Sequence, residues 1–296
     1  MRDPRVTVLA ACTRDGRGGS PTAVMIDDAT LTDDGRRAIA VAAGTSHTAF
    51  IEVGDTPAVR FFTAAGELLN CGHGTLAAQA FLLDRGSAGQ LRTGGRTFAT
   101  AATRRGDGIE VWFDQGLIEL SRHAGDGGDL IAALGLTPDD VAGDLRVASP
   151  GTRRLLVPVH DRRTLTAMRP DFARLAAECR RAGCLGCFAY TLEPPGEPAV
   201  EMQGEPAVGP PGEPPRLTVA ARMFAPVIGV DEDIVNANSA GCLAAHLLDT
   251  GRGTWIEVHQ GDTLGRPSTV RATAARTPDG ITTRIGGLVH YPACSW

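Results

Sequence analysis

Two segments, residues 74–83 and 241–248, are apolar almost throughout, and nothing else in the chain constrains its fold as strongly. Their length and alanine content favour helix over strand, and a helix that is apolar around its whole circumference must be enclosed on every side. The segments around them supply the enclosure. Runs at 6–11, 23–26, 38–42 and 58–62 precede the first helix, and runs at 98–102, 110–113 and 117–120 follow it, separated by Gly, Asp and Pro. Such punctuation predicts short strands. The second half repeats the scheme, with strands at 155–159, 187–192 and 218–224 and an amphipathic surface helix at 171–182. The second apolar helix comes next, then strands at 255–260, 269–274 and 281–285. The expectation is an α+β protein of two similar lobes, 1–125 and 126–296. Each carries a central apolar helix wrapped by a mostly antiparallel sheet, with the active site in the cleft between them.

A local signature recurs in the two halves. Phe62-Thr63 leads through a turn to Gly74-Thr75-Leu76-Ala77-Ala78-Gln79, ending at Leu82-Leu83-Asp84. Phe224-Ala225-Pro226 leads to Gly241-Cys242-Leu243-Ala244-Ala245-His246, ending at Leu247-Leu248-Asp249. The spacings differ, so this reads as a degenerate duplication, the alternative being chance likeness of two Ala-rich helices. Residues 193–215 stand apart. Gly-Glu-Pro recurs there three times among many prolines, and such a segment builds no packed core. It is expected to be an insertion at a hairpin tip.

Several function classes are excluded by composition. The net charge of −5 leaves no basic footprint, which argues against a nucleic-acid partner. All 29 basic residues are arginine, so no lysine is present to hold pyridoxal phosphate as a Schiff base. No stretch approaches the roughly 18 apolar residues of a membrane span. The run at 6–11 is shorter than a signal-peptide core, so a cytoplasmic location is expected. Seven scattered cysteines, an odd number, argue against a disulfide framework. Cys184-Leu185-Gly186-Cys187 lacks a second ligand pair for zinc and reads as buried structural thiols. Neither metal nor cofactor is expected.

Three stretches can do chemistry. In Asn70-Cys71-Gly72-His73-Gly74-Thr75, two glycines flank a histidine where a buried helix opens. Glycine lets backbone N–H groups approach a ligand, and a helix N-terminus favours an anion, so this is a pocket suited to a carboxylate. A plain cap with a glycine turn is the bland alternative. Asp233, followed by Asn236-Ala237-Asn238-Ser239, leads into the second helix in the same way, as a run of capping residues or as a second anion-binding terminus. The third stretch is Gly44-Thr45-Ser46-His47-Thr48-Ala49-Phe50, where a lone histidine in a strand-rich region, taken by itself, reads as structural.

In this order, the three stretches resemble the PhzF-type isomerases of phenazine biosynthesis, members of the diaminopimelate epimerase-like superfamily. Gly19-Ser20-Pro21-Thr22-Ala23-Val24 looks like that family's G-N-P-x-A-V turn, and Arg60-Phe61-Phe62-Thr63 with Glu67-Leu68 resembles R-x-F-T…E-L-P-F. Residues 71–76 are similar to A-G-H-P-T-L. Arg222-Met223-Phe224-Ala225-Pro226 with Glu232-Asp233 resembles R-x-F-A-P…E-D-P, and Gln260-Gly261 with Gly265-Arg266-Pro267-Ser268 matches Q-G…G-R-P-S. The resemblance implies the epimerase fold, a homodimer, a small-molecule carboxylate substrate and general acid–base catalysis by proton transfer.

Two departures shape the expected chemistry. His47 stands where the family has its catalytic glutamate, and a histidine can move protons near neutral pH. Cys71 stands where the phenazine enzymes have alanine, and Cys71-Gly72-His73-Gly74-Thr75 resembles proline racemases instead. Those use two opposed cysteines, and the second would fall at Asn236, which is neither acid nor base. A single thiol is similar to the hydroxyproline dehydratases. The expected activity is a double-bond shift on a pyrroline- or proline-like acid, as in alkylproline antibiotic pathways of the lincomycin and pyrrolobenzodiazepine type. The proton would move through His47, His73, Cys71 or Asp233. Ser46, Gly72, Gly74, Thr75 and residues 236–239 would bind substrate, and the resemblance implies that Asp233 orients its nitrogen. An epimerase or dehydratase using Cys71, or a non-catalytic acid-binding protein, are the alternatives.

Overall fold

The computed structural model describes residues 5–86, 89–194 and 216–291, so 195–215 of the expected insertion lie outside the described residues. The chain forms two compact units. The first comprises Met1–Gln115, Leu264–Thr269 and Arg284–Trp296, and the second Gly116–Thr263 and Val270–Thr283. Among the described residues, no helix is long and apolar enough to cross a membrane.

The first unit runs β1 (Thr7–Thr13), β2 (Ser20–Ile26), α1 (Asp33–Ala43), β3 (Thr48–Glu52), β4 (Ala58–Thr63), β5 (Gly66–Leu68), α2 (Gly72–Leu83), β6 (Gln90–Thr93), β7 (Arg96–Arg105) and β8 (Gly108–Leu117). The second holds β9 (Glu119–Arg122), α3 (Gly128–Ala133), β10 (Arg146–Ser149), β11 (Arg154–Pro158), α4 (Arg162–Ala167), α5 (Phe172–Arg181), β12 (Cys187–Leu192), β13 (Leu217–Ala225), β14 (Val230–Asp233), α6 (Ala237–Asp249) and β15 (Trp255–Gln260). The chain then passes along β16 (Ser268–Thr277) and β17 (Gly280–His290), and the end of β17 belongs to the first unit.

Pairing in the first unit runs β17–β1–β2–β3–β4–β6–β7–β8 and returns to β17. The ring encloses α2, whose residues 72–82 are all buried. This is the arrangement that an all-apolar helix requires. Most pairs are antiparallel, but β2–β3 and β4–β6 are parallel. Parallel neighbours need a crossover, and α1 and α2 supply it. The second unit repeats the device. β11–β12 and β13–β15 are its parallel pairs, with α4 and α5 bridging the first and α6 the second. Leu130, Leu134, Leu165 and Leu175 of its outer helices pack on Val157, Ala189 and Phe224 of its strands.

The duplication extends to side chains. On the β4–β5 hairpin, Arg60 Nε and Nη2 donate to Glu67 Oε1 and Oε2 at 2.8 and 2.6 Å. On the β13–β14 hairpin, Arg222 Nε and Nη2 donate to Glu232 Oε1 and Oε2 at 2.9 and 2.7 Å. Each guanidinium also lies 4.8 Å from a phenylalanine ring centre, Phe62 in one unit and Phe224 in the other.

One expected strand is a helix. Residues 38–42 fall inside α1, which begins at an N-cap where the Thr32 hydroxyl accepts from Gly35 N–H and ends at Gly44 with φ of 70°. Alanine favours helix, and the cap, the acidic first turn and the left-handed glycine outweigh the short apolar run. The second apolar helix also begins earlier than read, at Ala237, because Asn236 caps it.

Candidate active site

α2 opens without a side-chain cap. Its N-cap is Cys71, extended at φ −149°, which makes no capping hydrogen bond, and its first turn carries no acid. Thr75 N–H closes the first turn on Cys71 C=O, and the Thr75 hydroxyl donates to the same oxygen at 2.8 Å. The amides of Gly72, His73 and Gly74 therefore precede the first intrahelical bond. The partial positive charge of the helix end stays where an anion can meet it.

Onto this helix end β3 delivers His47, the residue just before the strand. Cys71 Sγ lies 3.4 Å from His47 Nε2 and 3.8 Å from His73 Nε2, and the two imidazole rings are 4.5 Å apart. Ser46 Oγ lies 3.0 Å from His47 Nδ1, and the Thr45 hydroxyl donates to His47 C=O at 2.8 Å, so ring and backbone are both held. Phe61 of β4 stands edge-on to His47. Exposure grades across the three: His47 keeps 2%, Cys71 7% and His73 8%. His47 is the support, and the thiol and His73 are the outward members.

Burial by itself would push the Cys71 thiol up, but the charges of His47 and His73 and their hydrogen bonds outweigh it and hold the thiol well below its ordinary range. A thiolate paired with imidazolium is a competent base and nucleophile. Among the described residues, these three also offer ligand atoms within 4.8 Å of one another, a metal-binding spacing.

In the second unit, the tip of α6 is capped. Asn236 Oδ1 accepts from Ser239 N–H at 3.0 Å and from the Ser239 hydroxyl at 2.8 Å, and Ser239 is fully buried. Asn236 Nδ2 donates to Asp233 Oδ2 at 3.1 Å, and Asn236 N–H donates to Gln260 Oε1 at 2.9 Å. Ala237 is buried beside them. Asp233, Asn236 and Ser239 thus form one hydrogen-bonded set, with Asn238 in the same first turn. Cys242 is fully buried, and burial raises its thiol.

Phe61 and Gln260 also touch these groups, and both lie inside family-like motifs. Periodicity carries no signal for either. Phe61 reads as core until His47 is seen against it, and Gln260 reads as a strand end. Cys184 and Cys187, expected to be buried structural thiols, are both buried. Cys187 Sγ faces Cys179 Sγ at 3.6 Å, and the six described cysteines are buried and in no disulfide.

Residues 9–287 match the family model described as phenazine biosynthesis-like protein. The curated relative YddE of Salmonella typhimurium, an uncharacterized isomerase, is 28% identical over 98% of this chain and 97% of its own. A Bacillus anthracis phenazine biosynthesis protein of the PhzF family superposes with a TM-score of 0.80 at 19% identity, covering 97% of this chain and 96% of that one. A predicted epimerase from Pseudomonas aeruginosa, PA4716, gives 0.76 at 26% identity, with 98% of each chain covered. The α+β epimerase-like fold follows from these likenesses.

Proposed function

The chain belongs to the phenazine biosynthesis-like family, and from that premise we propose that it is an isomerase that relocates a proton on a small cyclic carboxylate through the His47–Cys71–His73 group. Relatives carrying the isomerase name along almost their whole length support the activity class. The observation that carries the site is the convergence of both Nε2 atoms on Cys71 Sγ at the uncapped end of α2.

In this reading the amides of Gly72 to Gly74 hold the anionic part of the substrate. The Cys71 thiolate, kept charged by His47, takes a proton from a carbon α or allylic to the carboxylate. The electron pair left behind spreads into the conjugated system as an enolate or dienolate, which the helix-end amides stabilise. A proton returned at another carbon, with His73 as donor, completes a double-bond shift with no change in formula. The substrate class we favour is a pyrroline- or proline-like acid of secondary metabolism.

The thiolate also favours a second reading, an epimerase or dehydratase of proline-type acids. Asn236, the N-cap of α6, stands where the proline-racemase resemblance would put the second cysteine, and this weighs against a two-thiol racemase.

Incubation in D2O with pyrroline- and proline-carboxylates separates the two. The isomerase is expected to incorporate deuterium and move the chromophore. Inversion without a moved chromophore, or loss of water, replaces it with the second reading. Cys71→Ser and His73→Gln should lower exchange by about 10²–10⁴-fold. Undiminished exchange in both overturns the site. Asp233→Asn and Asn238→Ala in the same assay report whether the second helix tip serves this reaction.

A further inference from the structure

Two imidazoles meet one sulfur at the start of α2, although one would suffice to keep a thiolate charged. Their geometry fits another occupant. A tetrahedral zinc ion with Zn–S of about 2.3 Å and Zn–N of about 2.0–2.1 Å places its sulfur and nitrogen ligands about 3.5 Å apart. The two sulfur–nitrogen distances here are 3.4 and 3.8 Å, both through Nε2, and all three ligand atoms lie within 4.8 Å of one another. The outer contacts suit a metal site too. Ser46 Oγ at 3.0 Å from His47 Nδ1 is the kind of second hydrogen bond that orients a metal-bound imidazole. The Thr75 hydroxyl on Cys71 C=O anchors the thiol's backbone.

We propose that His47 Nε2, Cys71 Sγ and His73 Nε2 form a three-ligand site for a borderline-soft divalent ion of the zinc type, and that filling it switches the protein off. One thiolate and two neutral imidazoles suit zinc or cobalt(II) and do not suit magnesium or calcium, which take oxygen. The fourth position is left to water. Binding occupies the lone pairs on Sγ and both Nε2 atoms. Those are the lone pairs that the isomerase reading uses to carry a proton, so metal and turnover exclude each other. The inhibition rests on that reading, whereas the binding site does not.

The test uses the full chain, stripped with a chelator under anaerobic conditions and titrated with cobalt(II). Expected are one ion per chain, tetrahedral visible bands and a thiolate-to-cobalt charge-transfer band, all displaced by zinc. Ser46→Ala should weaken the ion by about 10–100-fold, and Cys71→Ser and His73→Asn by at least as much, with the charge-transfer band lost in Cys71→Ser. A protein that binds no stoichiometric cobalt, or one whose spectrum and affinity survive both ligand substitutions, overturns the site. Circular dichroism of each variant shows whether it is folded, and the two independent ligand variants keep the test decisive if one is not. Solvent deuterium exchange should fall in step with occupancy and return with EDTA. Exchange that is unchanged or faster with the site filled overturns the switch. Should the metal-free protein exchange no acid at all, the isomerase reading fails, and the cobalt spectrum still decides the site.

Discussion

Gly74 controls the geometry of the histidine–thiol group. A Cβ on it would lie 2.8 Å from Phe61 Cε1 and 3.0 Å from His47 Nε2, and Phe61 is fully buried and cannot retreat. Gly74→Ala should destabilise the protein by about 1–3 kcal/mol in thermal melts. It should also disturb the distance from Cys71 to His47, and hence exchange. An unshifted melting curve would show that the ring has room to move. Cys71 makes a second prediction at this scale. In metal-free protein its ultraviolet thiolate absorbance should persist well below pH of about 8.5, where an ordinary thiol is half ionised. Because the neighbouring imidazoles hold the thiol low, His47→Ala and His73→Ala should each move that titration upward. Cys71, Gly72, His73 and Gly74 are legible in the sequence as a glycine-flanked pair opening an apolar helix. His47 stands out locally only as a lone histidine in a strand-rich region, and its meeting with Cys71 is not legible there, because nothing in residues 44–50 says which loop they will face.

The paired hairpins carry the lesson at the level of elements. Arg60–Glu67 and Arg222–Glu232 have the same bidentate geometry in different surroundings. The side chains of the first are 37% and 39% exposed, and those of the second 10% and 11%. Arg222 Nη1 further donates to Leu165 C=O at 2.9 Å and Met168 C=O at 3.2 Å. Removing one partner of a buried pair strands the other charge, so Arg222→Met should cost about 3–5 kcal/mol in denaturant unfolding. Arg60→Met, screened by water, should cost under about 1 kcal/mol. Equal costs would mean that burial does not set the difference. The local signals for α1 lie at its ends, in Thr32, Asp33 and Gly44, and the apolar run at 38–42 carries none of them. α2 and α5 were legible at nearly their full length, because the first is apolar all round and the second has Asp171 at its N-cap, accepting from Arg174 N–H.

Acid stability belongs to the whole molecule, and Glu257 on β15 should dominate part of it. Burial would raise this carboxyl, but a hydrogen bond from His259 and the charges of Arg216 and Arg271 bring it down from 4.5 to about 2. Its folded value lies below its unfolded one. The stabilisation is therefore fully present above about pH 4.5 and is lost as pH falls toward 2, amounting to about 3 kcal/mol at neutral pH. Glu257→Gln should remove that much and flatten the acid limb of a stability–pH profile, and a profile that keeps its slope would exclude the residue as the cause. The order of pairing is likewise a property of the whole chain. β1 finds β17 from the far end of the sequence, with Ala10 opposite His290, and Gly18 and Gly19 lie against Pro267, which brings two separate family-like motifs into one turn. The sequence alone determined that two apolar helices had to be enclosed by strands, that the first of them would open on the Gly72-His73-Gly74 turn, and that pyridoxal chemistry was closed to a chain without lysine. These follow from composition and short-range periodicity, which are local quantities. Only the tertiary structure decided that His47 meets Cys71 and His73, that one of two like ion pairs is buried, and that the last strand returns to the first unit. Each of these depends on which distant segments close on one another, and that closure is set by long-range pairing and packing, which no local pattern records.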